Sequence, residues 1–225
     1  MRRSVRLSRT YFILGVAITV YGIIISNLMS IIPSNPMNPA PIELSNNFPI
    51  LSVALLSLSS VLFSLPVIML FVYDKNNGVL EYLLSTGLDQ LDIFKGYVKA
   101  SLALATYLLV FAIIINTVVG VFLGTGLSLL ASIAVLTFTI GISEVFLVSI
   151  CMMAFSSLQK TPMGANQPLG VIVGVIPMFP ALILPLVFPA YAIIVDLSIA
   201  AITLFASLAL LLSSGRLILR EKLLP

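Results

Sequence analysis

The chain has 225 residues, of which 60% are hydrophobic and 8% charged, with a formal net charge of +3. So little polar surface cannot clothe a water-soluble core, which excludes an ordinary soluble globule. The absence of histidine removes His-based metal sites, His ligation of haem and His general-base catalysis, the single Cys151 removes an intramolecular disulfide, and the small net charge does not point to nucleic acid.

The elements expected from the sequence are membrane spans, each needing about 20 apolar residues at ~1.5 Å per residue. The first, Tyr11–Ile32, follows Arg2, Arg3, Arg6 and Arg9. It is longer than the apolar core of a signal peptide, and Asn27-Leu28-Met29-Ser30 offers no small-residue cleavage site. It therefore reads as an uncleaved span. Pro33–Pro49 is a Pro/Asn-rich, extended loop whose only charge is Glu43. The second span is Ile50–Tyr73, and a polar loop covering residues 74–97 follows it. The third and fourth spans, Val98–Leu123 and Leu127–Phe155, are joined by the short turn Gly124–Gly126.

The fifth, Pro168–Phe188, carries Pro177, Pro180 and Pro185, with Pro189 just beyond it. Each proline removes a backbone donor, so this span is expected to be kinked or re-entrant. The sixth is Tyr191–Ser213. Trp is absent, which leaves Tyr11, Tyr73, Tyr97 and Tyr191 as interfacial anchors near the span ends.

Charge sets the expected topology. All 11 Lys and Arg fall before the first span, between Lys75 and Lys99, at Lys160, or after the sixth span at Arg216, Arg220 and Lys222. With six spans these positions share one side, and the positive-inside rule makes that side cytoplasmic. The expectation is an all-α, polytopic protein of the cell membrane, multi-pass, with both termini cytoplasmic. Residues 1–225 form a single transmembrane domain with no soluble module.

Two acids lie within the spans. Glu144, in the fourth, is either a neutral acid bonding between helices beside Thr137, Thr139 and Ser149, or a translocation or proton site. Asp196, in the sixth, is either an intramembrane acid or, if the helix proper begins at Leu197, an N-cap.

The 74–97 loop carries the most specific pattern. Asn76-Asn77-Gly78 signals a turn. Leu80, Leu84, Leu88 and Leu91 then form one stripe at helical spacing, opposite Glu81, Ser85, Asp89 and Asp92. Gly87 is expected to divide the segment into two short helices, with Thr86 and Asp89 as a capping box for the second. Such a helix lies in the interface plane or against another protein. The chain has no Gly-x-x-x-x-Gly-Lys-Ser/Thr loop, so ATP hydrolysis by that route is not expected of it.

Asp74-Lys75, Gly78-x-Leu80-Glu81, Leu83-Leu84, Ser85-Thr86 and Lys95-Gly96 together resemble the loop after the second span in permease subunits of ABC-2 type transporters. Val79, Gly87 and Asp74 depart from the family's frequent Thr, Pro and Glu at those points. The resemblance implies that Gly78, Leu80, Glu81, Leu83, Leu84 and Ser85 belong to a coupling helix that docks on a separate ABC ATPase subunit. ATP and magnesium would then sit on that partner, and this chain would need no cofactor of its own. The resemblance also implies an export pathway formed by a dimer with a second copy or a paralogue in the lipid bilayer. An ion-coupled secondary transporter using Glu144 is the alternative from the residues themselves. An intramembrane aspartyl protease is disfavoured, since its Gly-x-Gly-Asp motif is missing.

Overall fold

A computed structural model describes residues 2–31, 42–154, 183, 187 and 191–217. Among these residues the protein is all-helical. Its helices are α1 (Arg2–Ile31), α2 (Ile42–Asn76), α3 (Val79–Ser85), α4 (Gln90–Phe122), α5 (Leu127–Ala154) and α6 (Ala192–Leu217). Three stretches are long and apolar enough to cross a membrane: Ser52–Asn76, Gln90–Phe122 and Leu127–Cys151. Two shorter apolar stretches, Tyr11–Ile25 and Ile194–Leu210, lie in α1 and α6. The expected fifth span falls almost wholly outside the described residues.

Pairwise contacts fix the direction of each helix. Gly15 of α1 packs on Phe63 and Gly22 on Leu55, so α1 and α2 are antiparallel. Phe71 meets Tyr97 edge-on at 5.1 Å, while Leu56 shares a cluster with Ala112, so α2 and α4 are antiparallel too. Ser101 faces Ser149 and Leu109 faces Gly141, which sets α5 antiparallel to α4 and hence parallel to α2. Ala200 of α6 packs with Ile133, Leu136 and Ile140, and Leu210 packs on the cluster holding Val145, Val148 and Ile150. α6 therefore runs the same way as α5.

These directions gather Arg9, Asp74, Lys75, Glu81, Asp89, Asp92, Lys95, Lys99 and Arg216 at one end of the bundle. The α4–α5 turn, Leu123–Leu127, lies at the other end and carries no charge. α2 is the most connected helix, packed by α1, α3, α4 and α5, and α5 in turn packs against α2, α4 and α6. Small residues let the backbones approach closely, as is common between helices in lipid. A Cβ added at Gly141 would lie 2.8 Å from Leu109 Cδ2 and 3.0 Å from Ser60 Oγ. The outward surface is hydrocarbon: Tyr107, Phe111, Ile114 and Phe122 on α4, and Ile202, Phe205 and Leu212 on α6, are all exposed. In water such a surface would drive aggregation, whereas lipid solvates it.

Several boundaries differ from the sequence reading. α2 begins at Ile42, inside the loop expected to be extended through Pro49. Proline removes one backbone donor and disturbs one turn, and α2 accommodates both Pro49 and Pro66. α4 begins at Gln90, so residues 90–97 extend the third span and form no separate helix. The Thr86–Asp89 capping box does not form. Thr86 instead closes α3, its hydroxyl donating to the Leu83 carbonyl at 2.7 Å, and the Asp89 N-cap makes no side-chain cap bond.

Candidate functional site

Two places hold the candidate residues: the short helix at the charged end, and a polar junction inside the bundle.

α3 is set off by two turns. Gly78 ends α2 at φ 73°, and Gly87 ends α3 at φ 89°. A left-handed backbone costs an L-residue about 1–2 kcal/mol, so glycine at these two points makes the turns inexpensive. The Asn77 side chain adds a bond to the Tyr73 carbonyl at 2.7 Å. Between the turns, Leu80 is fully buried among Phe71, Ile93, Phe94 and Val98. This differs from its expected place on an outward stripe, because burial of a large apolar side chain in the bundle's own end outcompetes exposure at the surface. Leu83 and Leu84 are half-buried against the same cluster, whereas Glu81 and Ser85 are exposed. The outward apolar groups are Val79, Tyr82, which is 67% exposed, and Leu88.

The end of α2 is fastened to α4 as well. Tyr97 donates its hydroxyl to Asp74 Oδ2 at 2.5 Å, and Lys75 is buried. Sequence reading placed Tyr97 as a membrane anchor; the missed signal was its pairing with the Asp74-Lys75 motif across the turn. Leu83 and Leu88 also line an apolar groove of about 420 Å³, with Val67, Leu70, Gly96 and Tyr97 on its other walls.

The internal junction joins α2, α5 and α6. Glu144 is fully buried, and neither of its carboxyl oxygens has a hydrogen-bond partner among the described residues. Asp196 is 1% exposed, lies one turn inside α6 rather than at its N-cap, and leaves Oδ2 without a partner among those residues. Ser57 lies beside Glu144, and the Asp196 carboxyl is near enough to act on it electrostatically. Thr137, on the same face of α5 two turns before Glu144, is buried, and its hydroxyl has no hydrogen-bond partner among the described residues.

The other hydroxyls serve helix carbonyls. Ser57 donates to Ala54 at 2.9 Å, Ser60 to Ser57 at 2.7 Å, Ser143 to Ile140 at 2.9 Å and Ser207 to Thr203 at 2.6 Å. The polar bridges that do cross between helices avoid Glu144. Thr203 bonds Ser143 at 2.8 Å, Ser101 bonds Ser149 at 2.8 Å, and Thr139 turns back to Val135 and Leu136. Thr137, Thr139 and Ser149 share the helix of Glu144, and among the described residues the carboxyl makes no hydrogen bond to another helix, although Ser57 of α2 lies beside it. Among the described residues no cluster of acids and cysteine has the composition of a metal site.

No protein family, curated protein or solved structure matches the chain.

Proposed function

We propose that the chain is the membrane permease subunit of an ATP-driven exporter, working as a dimer with a separate ATPase subunit. The observation that carries this reading is α3: a seven-residue helix held between two glycine turns at the charged end of the bundle. Leu80 locks it into the core, and it turns Val79, Glu81, Tyr82 and Ser85 outward. A rigid element of this kind transmits a push from a partner to α2 and α4 together, because Tyr97–Asp74 and Phe71–Tyr97 join those helices beneath it. The docking surface is then the Val79–Tyr82 face with Glu81, and Leu80 belongs to the lever.

A topology of six spans fits the same geometry. Six spans put both termini and the charged end on one side, and the basic residues there favour the cytoplasm.

The test is retrieval of the partner from cell membranes. The tagged chain is expected to bring down an ATP-hydrolysing subunit, and to hydrolyse no ATP when purified alone. Tyr82→Asp and Glu81→Arg are each expected to abolish retrieval while leaving the chain inserted. Hydrolysis by the isolated chain, or undiminished retrieval by both variants, would overturn the proposal.

A further inference from the structure

The buried junction of α2, α5 and α6 has a chemistry that the coupling helix does not explain. A buried carboxylate needs donors to offset its lost hydration. Around Glu144 the hydroxyl protons of Ser57, Ser60, Ser143 and Ser207 are already committed to backbone carbonyls at 2.6–2.9 Å. Among the described residues, the carboxyl oxygens left there without a partner are both of Glu144 and Oδ2 of Asp196, and Ser57 Oγ, its proton given to Ala54, can only accept. Among the described residues the buried hydroxyl without a partner is that of Thr137, two turns along α5 from Glu144. A set of groups rich in acceptors and poor in donors, closed to solvent, is matched by a cation. The smallest cation suits a site this tightly enclosed, and protonation turns Glu144 into the donor that Ser57 lacks.

We propose that Glu144, with Ser57 and Asp196 bearing on it, forms an exchangeable proton-holding site within the bundle. The proton resides on the Glu144–Asp196 pair while the helices are closed, and it exchanges with water when α6 separates from α5. Among the described residues few titratable groups bear on the site. α6 contributes Asp196, the acid that acts on Glu144, and α5 contributes Cys151 two turns further along. The stretches of α2 and α4 packed on the middle of α5 carry Ser57, Ser60 and Leu109 there, with no acid or base. The site stands independently of the ATPase partner, since a proton can be held and exchanged by the permease alone.

The natural gate is the Thr203–Ser143 contact, at 2.8 Å between hydroxyl oxygens. The experiment is infrared spectroscopy of the full chain in lipid vesicles at neutral pH, read at the carboxylic-acid C=O band, which carboxylates lack. The parent protein is expected to show this band, and Glu144→Gln to lose it in part or whole. On transfer to D2O the parent band is expected to shift as the proton exchanges. Joining Ser143→Cys to Thr203→Cys by a disulfide, in a Cys151→Ser background, is expected to block the shift, and reduction to restore it.

Retention of the whole band in both Glu144→Gln and Asp196→Asn would overturn the proposal by showing that neither acid holds a proton. Exchange that is equally fast with the disulfide closed, or absent with it reduced, would overturn the gating and leave a merely structural acid. Loss of the band on adding sodium at constant pH would replace the proton by a metal cation and overturn the assignment equally.

Discussion

Two glycines separate packing from propensity at the scale of single residues. Gly141 sits where α5 meets α2 and α4, and a methyl there would press on Leu109 and Ser60. Gly96 lies in α4 with nothing within 4 Å of an added Cβ. The same change should therefore have opposite signs. Gly141→Ala is expected to destabilise by about 1–3 kcal/mol through overpacking, and Gly96→Ala to stabilise by about 0.5–1 kcal/mol through helix propensity. Thermal unfolding in detergent checks both. Glu144 offers a second contrast. The hydroxyls of Ser57 and Ser143 donate to their own helix carbonyls rather than to Glu144, so removing the carboxyl leaves no neighbouring donor unpaired. Glu144→Leu is expected to raise thermal stability, by about 1–3 kcal/mol, as relief of a buried unpaired polar group. A lower melting temperature would show that the carboxyl makes a bond that holds the bundle. Neither result was legible in the sequence, which shows an acid in an apolar run but not which hydroxyls around it are already engaged with their own helix.

α3 shows at the scale of the element how far periodicity reaches. The apolar spacing of Leu80, Leu84 and Leu88, with glycine at 78 and 87, was enough to locate a short helix between two turns. It could not say which apolar face was covered, because a stripe that docks on a partner and a stripe that packs on its own chain have the same spacing. Packing decides: Leu80 fills the end of the core, and Tyr82 and Leu88 stay outside. The capping expectation failed for a related reason. Thr86 bonds equally well backward to a helix carbonyl or forward to a helix N-terminus, and the α3 end is nearer. The prediction at this scale is a division of effects. Leu80→Ala is expected to cost about 2–5 kcal/mol of stability, as for a large side chain removed from a core. Tyr82→Ala is expected to leave the melting temperature within roughly 0.5 kcal/mol of the parent while weakening any complex made through α3. If Leu80→Ala unfolds no more readily than Tyr82→Ala, α3 is not anchored by its first turn.

The strongest sequence signal at the scale of the whole molecule was the placement of charge, and it is also what the helix directions organise. Five of the expected span boundaries, those of Val98–Leu123 at its end, Leu127–Phe155 at both ends, Tyr11–Ile32 at its end and Tyr191–Ser213 at its start, fall within a residue of the observed helices. Apolar length marks them directly. The starts of α2 and α4 were misplaced because helix continues beyond the apolar run, into segments that sequence reads as loop. The antiparallel order α1–α2–α4–α5 brings the lysines and arginines of α1, α2 and α4 to one end, and the parallel α6 adds Arg216 there. Charged groups cross the hydrocarbon only at a large free-energy cost, so the two chemically different ends of the bundle are expected to give it a single preferred orientation in a membrane. Gly126 and Ser85 report on those ends without disturbing them. Gly126 is exposed with nothing within 4 Å of an added Cβ, Ser85 is exposed at the end of α3, and the native Cys151 is buried. In intact cells treated with an impermeant thiol reagent, Gly126→Cys is expected to react and Ser85→Cys to react only after the membrane is opened. Labelling of Ser85→Cys from outside, with Gly126→Cys protected, would invert the molecule, place α3 out of reach of any ATPase, and leave the internal acids as its remaining route to driven transport.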